Sequence, residues 1–472
     1  MIAEDTMQMP WLFKKIDHIQ LILFRIFFGL LALLECWGAI ATGWVKETFV
    51  DPNFTFPFFG FEWTQFLLGD IMYLLFAVLG LSGLCIAIGY RYRVSILLFS
   101  LGWSLVYFMQ KSNYNNHYYL VMLIAWFMVF MPANRALSLD VKRGRTKGQQ
   151  SMFNWQRYLF VTQLLIVYTF AGIAKLYPGW YNGQYLHLRL SDSATWYRTH
   201  FSWSHFADLL SSENFARLLS WLGIGFDLLV IPLLLWKPTR TIAFIAALLF
   251  HIFNSITLHI GIFPYFALAL AIFCFPPELI RKRFGQYLTN NPYRVVSSPP
   301  RPLSKYLLLL LASYVLWQLY LPLRHHLIAG DVLWTEEGHR LAWRMMLRRK
   351  SGQITFYVVN KETGKKEQIR LNEYVMPHQL HLVSTAPDAI WQFAQRLAKE
   401  YKQRGQVVSV FAQSMVSVNG SPYYPFIDPT VDLAATSWRY FSHQHWILDA
   451  PEEIYKKNTP TPEYFLPQIR AY

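Results

Sequence analysis

Residues 241–259 read TIAFIAALLFHIFNSITLH, an apolar run of membrane-spanning length that contains two histidines and an asparagine. A helix crosses a bilayer with roughly 20 apolar residues. An ionisable side chain in hydrocarbon costs about 2.5–3.5 kcal/mol on insertion scales, which makes each one a functional hypothesis. His251, Asn254 and Ser255 are three and four residues apart and therefore share one helical face. The stretch predicts a membrane protein with a polar site inside it.

Similar runs extend in both directions from this one. The chain is 54% hydrophobic and only 15% charged, whereas soluble domains carry about 25% charge. The runs predict about nine membrane spans, at 19–41, 70–90, 94–109, 118–132, 157–174, 218–236, 241–259, 262–276 and 305–323. The spans at 94–109, 118–132 and 262–276 are short and could be tilted, re-entrant or buried among the others.

The net charge of +15 is concentrated in short loops between apolar runs. Five basic clusters alternate along the chain so that all fall on one side, which the positive-inside rule makes cytoplasmic. These are Lys14–Lys15, Arg91–Arg93, Arg135–Lys147, Lys237–Arg240 and Arg281–Arg283. The N-terminus is then cytoplasmic, and segments 42–69, 111–117 and 175–217 lie outside with everything after Leu323. No zinc-finger, phosphate-loop or RNA-binding motif accompanies the basic charge, so no nucleic-acid partner is expected.

The predicted organisation has three parts: a multi-span membrane domain at 1–283, a linker and last span at 284–325, and an extracytoplasmic, strand-rich α+β domain at 326–472. In the last part, 354–359 alternates as a strand and 368–371 returns from a turn. The apolar spacing of 388–405 predicts a helix ending near Gly405. Asn419–Gly420 predicts a tight hairpin. The three cysteines lie in apolar runs and indicate no disulfide framework.

Three polar clusters interrupt the apolar segments near the predicted outer surface. Asn116 and His117 start the fourth span, Lys175 ends the fifth, and His251 and Asn254 lie in the seventh. Each has an ordinary structural explanation: a snorkelling lysine, a helix cap, or an interhelical hydrogen bond. The functional interpretation rests on the expectation that the three clusters lie at the same depth in the membrane.

Two further charged residues within the spans, Arg25 in the first and Asp227 in the sixth, are interpreted as structural rather than catalytic.

The same segments carry a family resemblance. NNHYYL (115–120), FAGIAKLYPGW (170–180), FDLL (226–229), FHIFNSITLHIGIFPY (250–265), LYLPLRHHL (319–327), HRLAWRMM (339–346) and FIDPTVDLAATSW (426–438) are similar to motifs of the vitamin K-dependent γ-glutamyl carboxylases. The resemblance extends from about residue 20 to 440, and in length the chain resembles the short, bacterial-type members. It implies an integral protein of a bacterial inner membrane or an equivalent membrane.

The resemblance implies a coupled reaction. Vitamin K hydroquinone, O2 and CO2 are consumed, a glutamate in a protein or peptide substrate gains a second γ-carboxylate, and the quinone leaves as its epoxide. No metal is implied. A γ-C–H bond beside a carboxylate is too weakly acidic for any side chain to deprotonate, since an ordinary lysine has a pKa of about 10.4. Oxygenation of the quinol in a dry site supplies the stronger base that this step needs.

Carried over by motif, Lys175 would deprotonate the hydroquinone and must be neutral to do so. Asn116 and His117 would orient that amine or the quinone oxygens, and His251 and Asn254 would line the same pocket.

The soluble part would contribute two further groups. A roof over the pocket, or ordinary core, would come from Trp343, Met345 and Met346. The substrate carboxylate would be held by a basic run that could equally be a solvated face, namely Arg348, Arg349 and Lys350.

The sequence also departs from the animal members. Ala174–Lys175 stands where they have two consecutive lysines, Thr430 replaces a basic residue, and the long C-terminal extension and an interdomain disulfide are missing. Two other functions stay open: a quinol-binding oxidase or epoxidase without peptide carboxylation, and a transporter or lipid-handling protein. Against transport, no internal repeat or pair of broken helices stands out.

Overall fold

A computed structural model describes residues 11–149, 151–201, 203–258, 261–288 and 305–455. The first part of the chain is helical apart from one two-stranded ribbon. Its elements are α1 (Ile19–Ala41), α2 (Ile71–Ile88), α3 (Tyr92–Met109), α4 (Asn116–Phe130), α5 (Leu139–Lys142), α6 (Asn154–Ala174), α7 (Pro178–Tyr181), α8 (Gln184–Phe201), α9 (Ser204–Leu210), α10 (Glu213–Leu235), α11 (Arg240–Leu258), α12 (Phe263–Ala271), α13 (Pro277–Leu288) and α14 (Lys305–Leu323), with the ribbon formed by β1 (Lys15–Asp17) and β2 (Ser151–Phe153).

Seven helices among the described residues are long and apolar enough to cross a membrane. They correspond to seven of the nine predicted spans: α1, α2, α3, α6, α10, α11 and the last, at Tyr306–Leu327. The predicted fourth span is the shorter apolar helix α4, and the predicted eighth is α12 with its 3₁₀ extension, bent by 112° against α13. The polytopic helical fold class is therefore confirmed, with these two segments as its short members.

The membrane helices pack closely where small residues remove side-chain bulk. A Cβ atom added to Gly29 of α1 would lie 2.4 Å from the backbone nitrogen of Ala87 in α2. The buried guanidinium of Arg25 donates to the carbonyl oxygens of Ala133 and Leu137, at 3.1 and 2.6 Å. The structural interpretation of Arg25 agrees with these contacts, because they engage both terminal nitrogens of the guanidinium within the membrane domain.

The C-terminal domain is an antiparallel sheet covered by helices. Its elements are α15 (Val332–Thr335), β3 (Lys350–Asn360), β4 (Lys366–Ile369), α16 (Pro377–Thr385), α17 (Pro387–Gln403), β5 (Val408–Val418) and β6 (Tyr424–Ile427), with strand order β4-β3-β5-β6. Ile390, Phe393 and Leu397 are buried on one face of α17, where they join the core of the sheet. The predicted strands, helix and hairpin are confirmed, and Asn419 and Gly420 both have positive φ at the turn.

Three segments of the membrane domain reach the C-terminal domain. Phe54 packs in its core against Phe393, with ring centroids 6.2 Å apart. Gln184 at the start of α8 donates to the carbonyl of Asn419, and Lys111 pairs with Asp388. Segments 42–69, 111–117 and 175–217 thus share the side of the C-terminal domain, as the loop charges predict.

The predicted boundary at 283 falls inside α13, and the one at 325 falls two residues after α14. Residues 284–288 of the predicted linker continue helix α13. Its remaining residues, 289–304, lie outside the described residues, as do 456–472 of the predicted C-terminal domain. The division into three parts stays a prediction.

Candidate active site

A cavity of about 330 Å³ lies where α4, α6, α10, α11 and α12 meet the C-terminal domain. This volume is at the lower end of the range for small-molecule sites. Its wall is mainly apolar, with five titratable side chains that converge from α4, α6, α10 and α11. These are His117, Tyr168, Lys175, Asp227 and His251. Asn254, Met345 and Met346 also line it.

Lys175 caps the C-terminal end of α6 and is only 7% exposed. Its Nζ atom donates to Oδ2 of Asp227 at 2.5 Å and to the carbonyl of Ala171 at 3.3 Å. Nζ also lies 5.2 Å from the centre of the Trp180 ring. The amine is therefore part of a buried ion pair, and the interpretation of Asp227 as a structural residue missed its position beside the predicted base.

A glycine brings the two helices of this pair together. A Cβ atom added at Gly172, three residues before Lys175, would lie 2.7 Å from Cδ2 of Leu228 and 3.3 Å from Cβ of Asp227. The first distance is too short for real Cβ contacts, so a larger residue at this position would force the Leu228 side chain to move and would crowd Asp227.

The two histidines occupy the opposite wall. Nε2 of His251 lies 2.9 Å from the hydroxyl of Tyr168, and its buried Nδ1 has no hydrogen-bond partner among the described residues. His117 stacks on Phe263, with ring centroids 3.8 Å apart and planes 15° apart. An unpartnered polar atom beside flat aromatic surfaces suits an aromatic ligand that carries hydroxyl or carbonyl oxygens.

The wall between α10 and α11 is thin. Leu222 and Leu249 line the cavity, yet they are 58% and 63% exposed on the apolar surface of the bundle. A single layer of side chains therefore separates the cavity from lipid at this point. An apolar ligand would need only rotamer changes to pass from the bilayer into the cavity.

The roof of the cavity is the segment 336–349 of the C-terminal domain. Four of its non-glycine residues have positive φ, namely Glu336, Leu341, Trp343 and Met346. This left-handed region is uncommon for residues with side chains and persists only where the surroundings enforce it.

Side chains of the membrane domain enforce the roof conformation. The Leu341 amide donates to the Tyr114 hydroxyl at 2.6 Å, and that hydroxyl donates to Oδ1 of Asn116 at 3.0 Å. Nδ2 of Asn116 then donates to the Arg344 carbonyl at 3.2 Å. The Tyr177 hydroxyl donates to the Leu347 carbonyl. Asn116, predicted to orient the amine or the quinone oxygens, has both ends of its amide engaged in holding the roof.

The three predicted roof residues divide into two groups. Met345 and Met346 line the cavity, whereas Trp343 is fully buried behind it and stacks on Tyr119 with ring centroids 4.9 Å apart. Methionine suits such a roof because its flexible side chain fits an apolar ligand without leaving space for water.

Beyond the roof lies a second, polar cleft of about 560 Å³, which we call the basic cleft. Its wall includes the three predicted substrate-binding residues, Arg348, Arg349 and Lys350. Met346 lines both the basic cleft and the membrane cavity. One methionine therefore marks the boundary between an apolar site and a cationic one.

Each cation of the basic run has a protein partner. Arg348 pairs with Glu336, Arg349 donates to both carboxylate oxygens of Asp192 at 3.1 Å, and Lys350 donates to the Trp334 carbonyl at 2.5 Å.

The buried groups at the base of the roof influence each other. Burial would raise the pKa of Glu336, but Arg348 and Lys350 hold it well below its usual value. Burial lowers the pKa of Lys350 to about 7, although Glu336 opposes this shift. Arg349 differs because it lies half-exposed at the rim, where an incoming carboxylate could compete with Asp192.

Thr430, which stands where a basic residue was expected, is exposed and bonds locally to Asp428 through both its amide and its hydroxyl. Among the residues that the structure describes, no group of three or more metal-ligating side chains converges.

Two family models match the chain. The HTTM domain matches residues 13–278, which include all the membrane helices that line the cavity. The lumenal domain of vitamin K-dependent gamma-carboxylase matches residues 303–453, which include the roof and the basic run. No solved structure matches the chain.

Proposed function

The chain belongs to the vitamin K-dependent γ-carboxylase family, and on that premise we propose that it adds CO2 to glutamate side chains of a protein substrate while converting vitamin K hydroquinone to its epoxide. The two substrates must meet in one site. The quinol is apolar and reaches the site from lipid, whereas the glutamate is anionic and reaches it from water. The observation that carries the proposal is the position of Met346, which lines both the membrane cavity and the basic cleft.

The membrane cavity suits the quinol. His117, Phe263 and His251 offer flat surfaces and one unpartnered ring nitrogen, and the thin wall between α10 and α11 opens toward lipid. When bound, the quinol supplies a base of far higher strength than a lysine once it reacts with O2. Lys175 takes the hydroxyl proton that begins this chemistry, and Met345 and Met346 keep water from the site.

The basic cleft suits the glutamate. Arg349 at its rim exchanges Asp192 for the substrate carboxylate, while the buried pairs of Arg348 and Lys350 keep the floor of the cleft rigid. A glutamate held by Arg349 would then lie in the cleft that shares Met346 with the membrane cavity. A planar guanidinium suits this exchange because it binds carboxylates with two parallel hydrogen bonds.

We place the C-terminal domain outside the cytoplasm, with the N-terminus inside, on the alternation of the basic loops. A periplasmic-type reporter fused after Tyr472 should then be active. A reporter active only in the cytoplasm would overturn this orientation.

A second function, quinol epoxidation without a peptide substrate, is favoured by one observation. All three cations of the basic run already have partners within the protein. On this alternative the membrane cavity works alone, and the basic residues only shape the roof.

The test is incorporation of labelled CO2 into a short glutamate peptide by the purified protein with reduced vitamin K and O2. Label and epoxide should form together in the wild type and in Lys365→Ala, an exposed lysine that lines neither the membrane cavity nor the basic cleft. Both should be lost in Lys175→Ala. Epoxide without label would favour the second function, and neither product from the wild type would refute both.

A further inference from the structure

The pairing of Lys175 raises a chemical difficulty for its proposed role. Nζ of Lys175 lies 2.5 Å from Oδ2 of Asp227, and as the cation of this ion pair the amine is an ammonium group. An ammonium group has no lone pair and cannot accept a proton. The proton already on Lys175 must therefore move before, or while, the quinol gives up its own.

Asp227 is the group placed to receive it. Its carboxylate is 5% exposed, lines the cavity, and has Lys175 as its one ion-pair partner among the described residues. The other titratable groups on the cavity wall are Tyr168 and His251, which bond each other, and His117, which stacks on Phe263. None of these three has a hydrogen bond to Lys175 among the described residues.

We propose that Asp227 is the proton acceptor of the site and acts through Lys175. As the quinol O–H bond breaks, Lys175 takes that proton and passes one of its own to Asp227, forming a carboxylic acid. The ammonium charge stays in place throughout, and the negative charge moves from Asp227 to the quinol oxygen. This inference rests on the function proposed above and adds a second residue to its first step.

Charge balance is the physical reason for such a pair. The cavity wall is apolar, and creating a new isolated charge there is costly. A neutral lysine acting alone would create two charges from two neutral groups. The lysine–aspartate pair begins and ends with one cation and one anion, so the quinol ionises without a change in the number of charges.

The competing interpretation is that Asp227 serves only as a counter-ion. It then holds Lys175 as ammonium and opposes its work as a base. The two interpretations predict opposite effects of Asp227→Asn. A lost proton acceptor lowers the rate, whereas a lost counter-ion frees the amine and leaves the rate unchanged or higher.

The first measurement needs no variant and no turnover. Reduced vitamin K is added without O2 to the full-length protein in lipid nanodiscs, and an infrared difference spectrum is recorded. A carbonyl band of a newly protonated carboxyl group should appear, shift in D2O, and be missing in Asp227→Asn. A wild-type spectrum without this band would overturn the proposal.

The second measurement is the epoxidation rate. Asp227→Asn should lower kcat by about 100-fold, the usual contribution of one proton-transfer group, and change KM by less than about threefold. Asp227→Glu, which restores a carboxylate, should recover at least about a tenth of the wild-type kcat. Asp208→Asn, at an exposed ion pair outside the site, is the matched control and should match the wild type.

An active wild type with an equally active Asp227→Asn would refute the role of Asp227 and leave the proposed function standing. A wild type that forms neither epoxide nor carboxylated peptide would refute the function itself. If Asp227→Asn does not accumulate as folded protein, the wild-type infrared band and the Asp227→Glu rate decide the question.

Discussion

The protein contains two buried lysine–aspartate pairs of the same length in different surroundings. Lys111 and Asp388 meet at the contact between the membrane and C-terminal domains, and Lys175 and Asp227 meet in the membrane cavity; both pairs measure 2.5 Å. In the first pair the carboxylate also accepts a hydrogen bond from Arg340 at 2.6 Å. In the second pair the described residues supply no further cation.

The positive charge of Arg340 distinguishes the two pairs chemically. Burial would raise the pKa of Asp388, but Arg340 and Lys111 lower it to about 2. This carboxylate stays ionised and fastens two domains together. Asp227 faces a single cation, so it can accept a proton without leaving a second cation unbalanced. An arginine beside a lysine–aspartate pair therefore keeps the carboxylate ionised and makes the pair structural, whereas a pair without the arginine can exchange a proton.

The largest expected effect is on catalysis at the cavity pair. Lys175→Met should lower the rate of quinol epoxidation by about 10²–10⁴-fold, because the site loses its proton-transfer group while keeping the apolar stem of the side chain. The rate is measured as epoxide formed per enzyme by liquid chromatography. Lys111→Met should keep at least about a tenth of the wild-type rate, since its pair lies outside the cavity. Equal losses of epoxidation rate in both variants would show that the two pairs do not differ in their role in catalysis.

The next largest effect is on stability at the interface pair. Asp388→Asn leaves Lys111 and Arg340 buried together without an anion, which should cost about 3–5 kcal/mol. Thermal unfolding of the purified protein, followed by tryptophan fluorescence, gives the shift in Tm. Asp208→Asn at an exposed pair should cost at most about 1 kcal/mol. An unchanged Tm in Asp388→Asn would show that this pair does not fasten the domains.

A smaller effect tests the approach of α6 to α10. Gly172→Ala should push Leu228 away and lengthen the contact between Lys175 and Asp227, lowering kcat by about tenfold. The control is Gly225→Ala on α10, where an added Cβ would meet nothing within 4 Å. The steady-state epoxidation rates of the two variants are compared. Equal rates would show that the close approach of α6 to α10 at Gly172 does not affect catalysis.

The smallest effect is the pH dependence of the interface pair. Burial lowers the pKa of Lys111 to about 8, against 10.5 for an ordinary lysine, despite the opposing charge of Asp388. Between these values the unfolded chain holds the proton that the folded protein has lost, so this group makes stability rise with pH. The slope is at most about 1.4 kcal/mol per pH unit.

Thermal unfolding at pH 7, 8, 9 and 10 measures this slope. The stability difference between the wild type and Lys111→Met should move in favour of the wild type above pH 8. A difference that stays constant across the series would show that Lys111 does not titrate in the folded protein.

Hydropathy was sufficient for most of the fold. Long apolar runs have few alternatives to membrane helices, and short-range patterns such as Asn419–Gly420 fix their turn locally. The bend between α12 and α13 was open only as the re-entrant alternative for the short span at 262–276, since hydropathy gives the length of an apolar run but no angle.

The sequence also indicated which polar residues to examine. His117, Lys175 and His251 stand out because hydrocarbon makes them costly, and the structure brings them around one cavity. The sequence did not place Asp227 beside Lys175, because the two residues are 52 positions apart in the chain, on different helices. The hydrogen bond from Asn116 to the roof is accepted by a backbone carbonyl of the C-terminal domain. A sequence pattern of side chains cannot predict such a contact.

The roof has a consequence for the assembly of the protein. Leu341, Trp343 and Met346 keep their unusual backbone conformation through hydrogen bonds and stacking from Tyr114, Asn116 and other side chains of the membrane domain. A C-terminal domain made separately would lack this template and relax. The membrane cavity is therefore roofed only where the two domains are joined, so the backbone conformation of the roof reports on the correct assembly of the two halves of the chain.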